Sequence, residues 1–522
     1  VKRRRFLGQS VLFAAASSGI TTFSLSSCKK NEDSKFDYEA IVIGSGFGGS
    51  VAALRLSEKG IKTLLIEWGK FYDNSISNHV FSPTLPPDKR STWLKNKTEL
   101  PFGINLSWKE KYVGVLDRVE FQNMNVYRNI CLGGGSISNG GVLLKPTAEH
   151  FKKFMFNDID FNELNNYYNK VQNMLSATQM PDDLFNSSYY KFAQIAKLHA
   201  TNAGLDFTHA LSFYDFEKWR KETLGEIPKS ALIGELLYGN NNNIKNTLDK
   251  NYLALALGTG NLTIKTLTRV DDIAVSSDGT YKLNTSTIDE NGNSYKFQNF
   301  KANHVFVCAG SVGSTSLLVE SREKGLLPDL ETSVGKFWGP NGNSFAVRKV
   351  KENTGAMHSS PPTLSILDFN NPITPVAAMQ DIFPIGFELN ILLMVGQPYI
   401  ETRGEFIYDT NLQKAILSWS KNGLEQGTAG MRSMIDKLNT ANNSEIDTNF
   451  IKEGVSDSFT YHPLGGVVLG KASDNYGRLK GYKNLYCLDG AMLPGNCAMV
   501  NPTFTITALA ERNMDTILKE NF

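Results

Sequence analysis

Apolar and polar positions alternate along this chain in blocks that predict its elements. Tyr38–Ile43 is a largely apolar run that stops abruptly at Gly44, the signature of a buried strand. The glycine-rich turn that follows leads into a helix-like stretch through Lys59, with Gly60 as its stop, and residues 62–66 form a second apolar run ending at Glu67. Two further strand-like runs, 304–308 and 484–488, each end in a turn of small residues: Ala309-Gly310-Ser311-Val312-Gly313 and Asp489-Gly490. Residues 384–393 read as another apolar, strand-like run, with one carboxylate, Glu388, inside it. At the C-terminus Ile506, Leu509, Asn513 and Ile517 recur at helical spacing and predict one core-facing stripe. Residues 73–101, with Pro83, Pro86 and Pro87 and little periodicity, predict a loop over a site.

The first three elements make a strand, turn, helix, strand unit around Gly44-Ser45-Gly46-Phe47-Gly48-Gly49. In that context each glycine has a physical task. Gly44 makes the tight turn, Gly46 admits a pyrophosphate against the backbone, and Gly49 lets helix and sheet approach. The helix N-terminus then points free N–H groups at the anion, with Phe47 and Gly48 in its first turn. Glu67, about 20 residues on, is placed to accept from ribose hydroxyls. The motif alone does not separate NAD from FAD. The Asp489-Gly490 turn is a second contact of the kind that two-nucleotide flavoproteins use, and it makes FAD the favoured cofactor. These pieces lie more than 400 residues apart, so the nucleotide domain must be discontinuous. The expected fold is α/β: a discontinuous, Rossmann-like FAD-binding domain with a parallel sheet, plus an inserted α+β substrate domain on a largely antiparallel sheet. Its expected segments are 36–73, 245–333 and 477–522 for FAD, and 74–244 and 334–476 for substrate.

Composition narrows the function. The 522 residues are 41% hydrophobic and 20% charged, enough apolar surface for more than one core. Lys+Arg 54 against Asp+Glu 52 gives a net charge of +2, which supplies no field for nucleic acid. Seven histidines without HxxxH or HxH spacing, and cysteines without a CxxC pair, lead to the expectation of no metal. The first 27 residues lack acids, carry Lys2, Arg3, Arg4 and Arg5, and continue into a mildly apolar run. Arg3-Arg4-Arg5-Phe6-Leu7 resembles a twin-arginine export signal, and Leu25-Ser26-Ser27-Cys28 resembles a lipoprotein cleavage box. The expectation is a signal at 1–27, a tether at 28–35, and an exported bacterial protein held in the periplasm or at the cell surface by lipid on Cys28.

Six blocks carry a family resemblance: Pro87-Asp88-Lys89-Arg90-Ser91-Thr92-Trp93, Leu132-Gly133-Gly134-Gly135-Ser136 to Asn139-Gly140-Gly141, Gly225-Glu226-Ile227-Pro228-Lys229-Ser230-Ala231, Trp338-Gly339-Pro340-Asn341-Gly342-Asn343, Tyr461-His462-Pro463-Leu464-Gly465-Gly466, and Asn501-Pro502 to Ala508-Leu509-Ala510-Glu511-Arg512. Together they resemble the glucose–methanol–choline flavoprotein oxidoreductases, in the branch of bacterial cholesterol oxidases with non-covalent FAD. The resemblance implies cofactor contacts at Gly134, Gly135, Ser136, Asn139, Gly140 and Val270, beside Gly44, Gly46, Phe47, Gly48, Gly49, Glu67, Asp489 and Gly490. It implies that His462 meets the substrate hydroxyl as a base, that Asn501 lies against flavin and hydroxyl, and that Glu388 shuttles a proton across a steroid double bond. The implied reaction oxidises a 3β-hydroxysteroid to the ketone, with hydride transfer to flavin, O2 or another electron acceptor, and 5-ene to 4-ene isomerisation. Departures from the family pattern are Val467 in place of Cys, Val142 in place of Met, and one extra residue between Gly495 and Asn501. Two other readings stay open: an exported dehydrogenase for another bulky apolar alcohol, and a sterol-binding lipoprotein.

Overall fold

The computed structural model describes residues 36–74, 79–98, 106–383, 386–456 and 458–522. The export signal, Cys28 and the tether lie outside the described residues. From Phe36 to Phe522 the chain forms one compact unit.

Its first sheet is built around the glycine turn. Five strands run parallel: Leu485–Cys487, the end of Ser294–Val307, Tyr38–Ile43, Thr63–Ile66 and Leu262–Lys265. Ala40, Ile41 and Val42 are fully buried, as a central parallel strand covered on both faces requires. The 304–308 run proves to be the end of a longer strand, Ser294–Val307. Its first half is polar and exposed and pairs antiparallel with Tyr281–Ile288, which pairs in turn with Thr268–Val275. That half lacks the apolar signal because this meander is not covered on both sides.

Helix Phe47–Glu58 begins where expected and ends at Lys59, with Gly60 at φ 80°. It packs beside the C-terminal helix Thr503–Glu520, on which Leu509, Asn513 and Ile517 are buried. Arg55 donates two bonds to Glu511, at 2.8 and 2.6 Å, while Lys170 and Tyr252 reach the same carboxylate at 2.8 and 2.9 Å. The fully buried Glu511 thus joins the first helix to the last.

The second sheet is antiparallel and built from the inserted segments. Its path runs through Ser344–Lys349, Ile391–Gly396, Val376–Asp381, Leu364–Asp368 and Asp206–His209. Here the expected strand at 384–393 shrinks: the strand starts at Ile391, Asn390 takes φ 56°, and Phe387 is exposed. Gly386 at φ 82° and Asn390 in the left-handed region keep residues 386–390 out of the strand despite their apolar members.

Candidate active site

A cavity of about 1210 Å³ runs from the glycine turn to the face of the antiparallel sheet. It exceeds the roughly 300–1,000 Å³ of a single-ligand pocket, so it has room for a dinucleotide and a substrate together. Gly44, Gly46, Phe47, Gly48, Glu67, Gly134, Gly135, Asn139, Gly140, Val270, Asp489, Gly490, His462 and Asn501 all line it. Gly49, Ser136 and Glu388 do not.

The turn is assembled by close backbone approach. A Cβ on Gly48 would lie 1.8 Å from the Leu488 carbonyl oxygen, so only glycine lets the helix start touch the Leu488–Asp489 segment. A Cβ on Gly49 would lie 2.0 Å from the Gly44 carbonyl oxygen, which places this glycine in packing rather than in the cavity wall. Ser136 is likewise a fastener: its hydroxyl donates to the Gly133 carbonyl at 2.7 Å and accepts from Leu248 N–H at 3.1 Å. Gly134 seats the second glycine turn on the first, since a Cβ there would be 2.9 Å from Gly46 Cα.

Two buried carboxylates fasten the glycine-turn end of the cavity. Glu67 accepts from Ser45 N–H at 3.0 Å, Ser45 Oγ at 2.6 Å and Gly69 N–H at 2.7 Å, and burial pushes its pKa up against those bonds. Asp489 accepts from Gly310 N–H at 2.7 Å, from Ala491 N–H at 2.8 Å and from Ser314 Oγ. It therefore ties the Ala309-Gly310 turn to the C-terminal segment, and burial raises its pKa too. The residues fit FAD: two glycine turns without side chains, an acid at the ribose position, and a long cavity whose wall includes a residue with an unpaired amide oxygen. That oxygen is Asn501 Oδ1, buried and without a donor among the described residues.

Behind the second glycine turn lies Lys245, buried and missed by the sequence reading. Its Nζ donates to the Asn139 carbonyl at 2.7 Å and sits 5.6 Å above the Tyr214 ring. Burial drives its pKa far down.

His462 lines the cavity with its Nδ1 turned to two side-chain amides. Asn343 Nδ2 lies 3.0 Å and Asn341 Nδ2 3.4 Å from its Nδ1. The orientation of Asn343 is fixed, because its Oδ1 accepts the N–H groups of Tyr461 and His462 at 3.0 and 3.1 Å. With donors at Nδ1, the neutral ring carries its proton on Nε2 and offers a donor to the cavity. Burial lowers the pKa to about 4, which keeps the ring neutral.

The expected shuttle carboxylate, Glu388, lies outside the cavity wall. Glu388 accepts from Asn390 N–H at 2.7 Å, Gly355 N–H at 2.6 Å and Thr354 Oγ1 at 2.9 Å, in the loop before Ile391. Burial alone would raise its pKa, but these bonds outweigh it and the net shift is downward. A carboxylate that lines the cavity from the antiparallel sheet is Asp381, at the end of Val376–Asp381. One oxygen accepts from Ile382 N–H at 2.8 Å, and burial pushes the pKa up to about 6. Its signal was present in the sequence, an acid between Met379-Gln380 and Ile382-Phe383, of the same kind that pointed to Glu388. Phe345, Met379, Val395, Leu236 and Leu237 supply apolar wall around it.

Relatives match nearly the whole chain. Cholesterol oxidase of Acinetobacter baumannii is 25% identical over 92% of this chain and 94% of its own length. Cholesterol oxidase of Mycobacterium tuberculosis is 25% identical over 92% and 90%. Among solved structures, a fungal aryl-alcohol oxidase superposes with TM-score 0.65 at 12% identity, covering 93% of this chain and 99% of that one. Pyridoxine 4-oxidase from Mesorbium loti gives 0.63 at 14%, covering 93% and 100%. At those identities the structures speak for the fold. Models of the GMC oxidoreductase family match residues 38–326, of its C-terminal region 341–451, and of the family again 409–510. With the nucleotide sheet, the glycine cradle and the inserted antiparallel sheet in place, the chain belongs to the GMC oxidoreductase family, and FAD is its cofactor.

Proposed function

We propose that this FAD-dependent GMC oxidoreductase oxidises the ring hydroxyl of a bulky apolar alcohol of the 3β-hydroxysteroid class, with O2 as the electron acceptor, and then isomerises the product. The single observation that carries the reading is a desolvated carboxylate, Asp381, in the same apolar-walled cavity as His462 and Asn501.

When bound, FAD supplies the hydride acceptor. The protein's share is positioning and proton handling. His462 donates a hydrogen bond from Nε2–H to the substrate oxygen and fixes its direction. Asn501 Oδ1, without a donor among the described residues, accepts the hydrogen bond of the hydroxyl, whose proton passes to solvent as the hydride leaves. Asp381 takes the proton from the carbon between carbonyl and double bond and returns it at the far end of the allylic system. No atom is gained or lost in that shift. A carboxyl group whose pKa lies near 6 does this well, because it releases and accepts a proton at near-neutral pH. The role expected of Glu388 thus passes to Asp381. The whole-length similarity to two cholesterol oxidases supports the substrate class.

Anaerobic cholesterol added to the flavin-loaded protein is expected to bleach its yellow colour, and turnover in air to yield the 4-ene ketone. Asp381→Asn should leave the 5-ene ketone as the main product, whereas Glu388→Gln should isomerise like the parent. A flavin that stays oxidised with cholesterol refutes the substrate, and an isomerising Asp381→Asn refutes the proton carrier. Under the same reading residues 1–28 direct export and acylation, which mass spectrometry of the N-terminal peptide from the membrane fraction tests.

A further inference from the structure

The two asparagines behind His462 reach further than its ring. They belong to Trp338-Gly339-Pro340-Asn341-Gly342-Asn343, which turns back on itself with Asn343 N–H donating to the Pro340 carbonyl at 3.2 Å. Asn341 and Gly342 take φ 53° and 69°, the pair of left-handed residues that an Asn-Gly turn supplies. This turn brings both amides to the imidazole. Asn343 spends its oxygen on the backbone of the Tyr461-His462 segment, so its task is local to the ring.

Asn341 does something different. Its Oδ1 accepts from Cys497 N–H at 2.7 Å, and its Nδ2 donates to the Val500 carbonyl at 3.0 Å. Between those two anchors Ala498 and Met499 take φ 49° and 63°, a conformation that L residues with a Cβ adopt reluctantly. Both are buried, and the next residue after Val500 is Asn501. The same Nδ2 lies 3.4 Å from His462 Nδ1. One side chain, itself 2% exposed, thus holds both ends of the strained turn that delivers Asn501 and also touches the ring that faces it across the cavity wall.

We propose that Asn341 is a positioning residue that sets His462 and Asn501 in register, holding the Ala498-Met499 turn in its left-handed form and the imidazole in its Nε2-protonated form. The turn is closed by Val500 N–H on the Cys497 carbonyl at 3.2 Å and by Ala498 N–H on Asn496 Oδ1 at 2.9 Å, and Asn341 adds the side-chain tie that joins it to the imidazole. This is a role in geometry, and it predicts that glycine within the turn can stand in for the missing tie.

The flavin-loaded protein, labelled with ¹⁵N at histidine, tests this at pH 7. His462 should show a protonated Nε2 and a bare Nδ1, and the opposite tautomer overturns the proposal without any variant. Asn341→Asp keeps the shape and removes the donor. It should move the His462 proton or charge its ring, and lower kcat for cholesterol at least tenfold while KM changes less than threefold. Asn341→Ala should lose a similar factor, and Ala498→Gly added to it should recover at least threefold, because glycine accepts the positive φ without a tie. Unchanged kcat in Asn341→Asp, or a double variant that regains melting temperature but not kcat, overturns the proposal. The kinetic arm uses cholesterol and so rests on the substrate class proposed above. The tautomer does not, so parent protein inert to cholesterol sinks the substrate and leaves the NMR result to decide the positioning role.

Discussion

At the scale of single residues, the site is a set of groups held in states they would not choose in water. Asp381 and His462 are shifted in opposite directions by the same cause, loss of solvent, which disfavours a carboxylate and an imidazolium alike. The consequence for stability has opposite signs. Asp381 rises from 3.8 to about 6, so between those values the folded state holds more protons than the unfolded, and stability falls as pH rises through that window. Above pH 6 the full penalty is present, on the order of 2 to 3 kcal/mol for a shift of this size. Asp381→Asn removes it. Urea unfolding of flavin-loaded protein should find the variant more stable than the parent at pH 8 by about that amount, with the gain vanishing near pH 4. Equal stability at both values would mean that Asp381 is solvated and not the desolvated acid described above. His462 works in reverse: its pKa falls from 6.5 to about 4, so its contribution is complete above 6.5 and is lost as pH drops toward 4.

At the scale of elements, what could be read from the chain depended on whether a signal was local. The glycine turn, its flanking strands and the last helix were legible because each needs only a short run with a fixed period, and Tyr38–Ile43 occupies the expected residues. The antiparallel extension of Ser294–Val307 was not, because its polar first half looks like a loop until Tyr281–Ile288 pairs with it. Glu388 shows the limit most clearly. An acid in an apolar run has two fates, and only the register decides between them: Asp381 pairs with Leu393 inside the sheet, while Glu388 sits before the strand begins. Nor does any short window reveal that Asn341, Cys497 and Val500 converge. Long-range ties of this kind also hold the helices together. Glu511 is fully buried and meets Arg55 in a two-point ion pair across 456 residues of sequence. Glu511→Ala would leave Arg55 with a weak surface partner, Glu58, and Lys170 with only a distant Asp515. Losing one partner of a buried pair costs about 3 to 5 kcal/mol, so a loss of that order is expected in denaturant midpoints, with the slope unchanged. A loss below about 1 kcal/mol would show that the carboxylate repays little beyond its own desolvation.

At the scale of the whole molecule, the cavity wall is drawn from segments scattered across the chain. Ile43–Gly48, Glu67, Gly134-Gly135, Val270, Ala309-Gly310, Met379, Asp381, His462, Asp489-Gly490 and Asn501 all contribute, and they belong to both sheets and the loops between them. A ligand that touches all of these binds the folded chain and not the unfolded one, so FAD must add to stability by mass action. At a free concentration one hundred times its dissociation constant the gain is about 2.7 kcal/mol. For a folded unit of nearly 500 residues the unfolding entropy is large, and this gain corresponds to about 3 °C in melting temperature. Removing FAD should therefore lower the midpoint by a few degrees, and titrating it back should raise the midpoint logarithmically with concentration. Glu67→Ala should need more FAD for the same rise, since it removes the acid at the ribose end while leaving His462 and Asn501 in place. Flavin fluorescence, which reports release, and far-ultraviolet circular dichroism, which reports both sheets, should change together in the loaded protein. A melting temperature indifferent to FAD, or flavin release well before any loss of structure, would mean that the dinucleotide rests on the surface of one lobe and does not tie the segments around it into a single cooperative body.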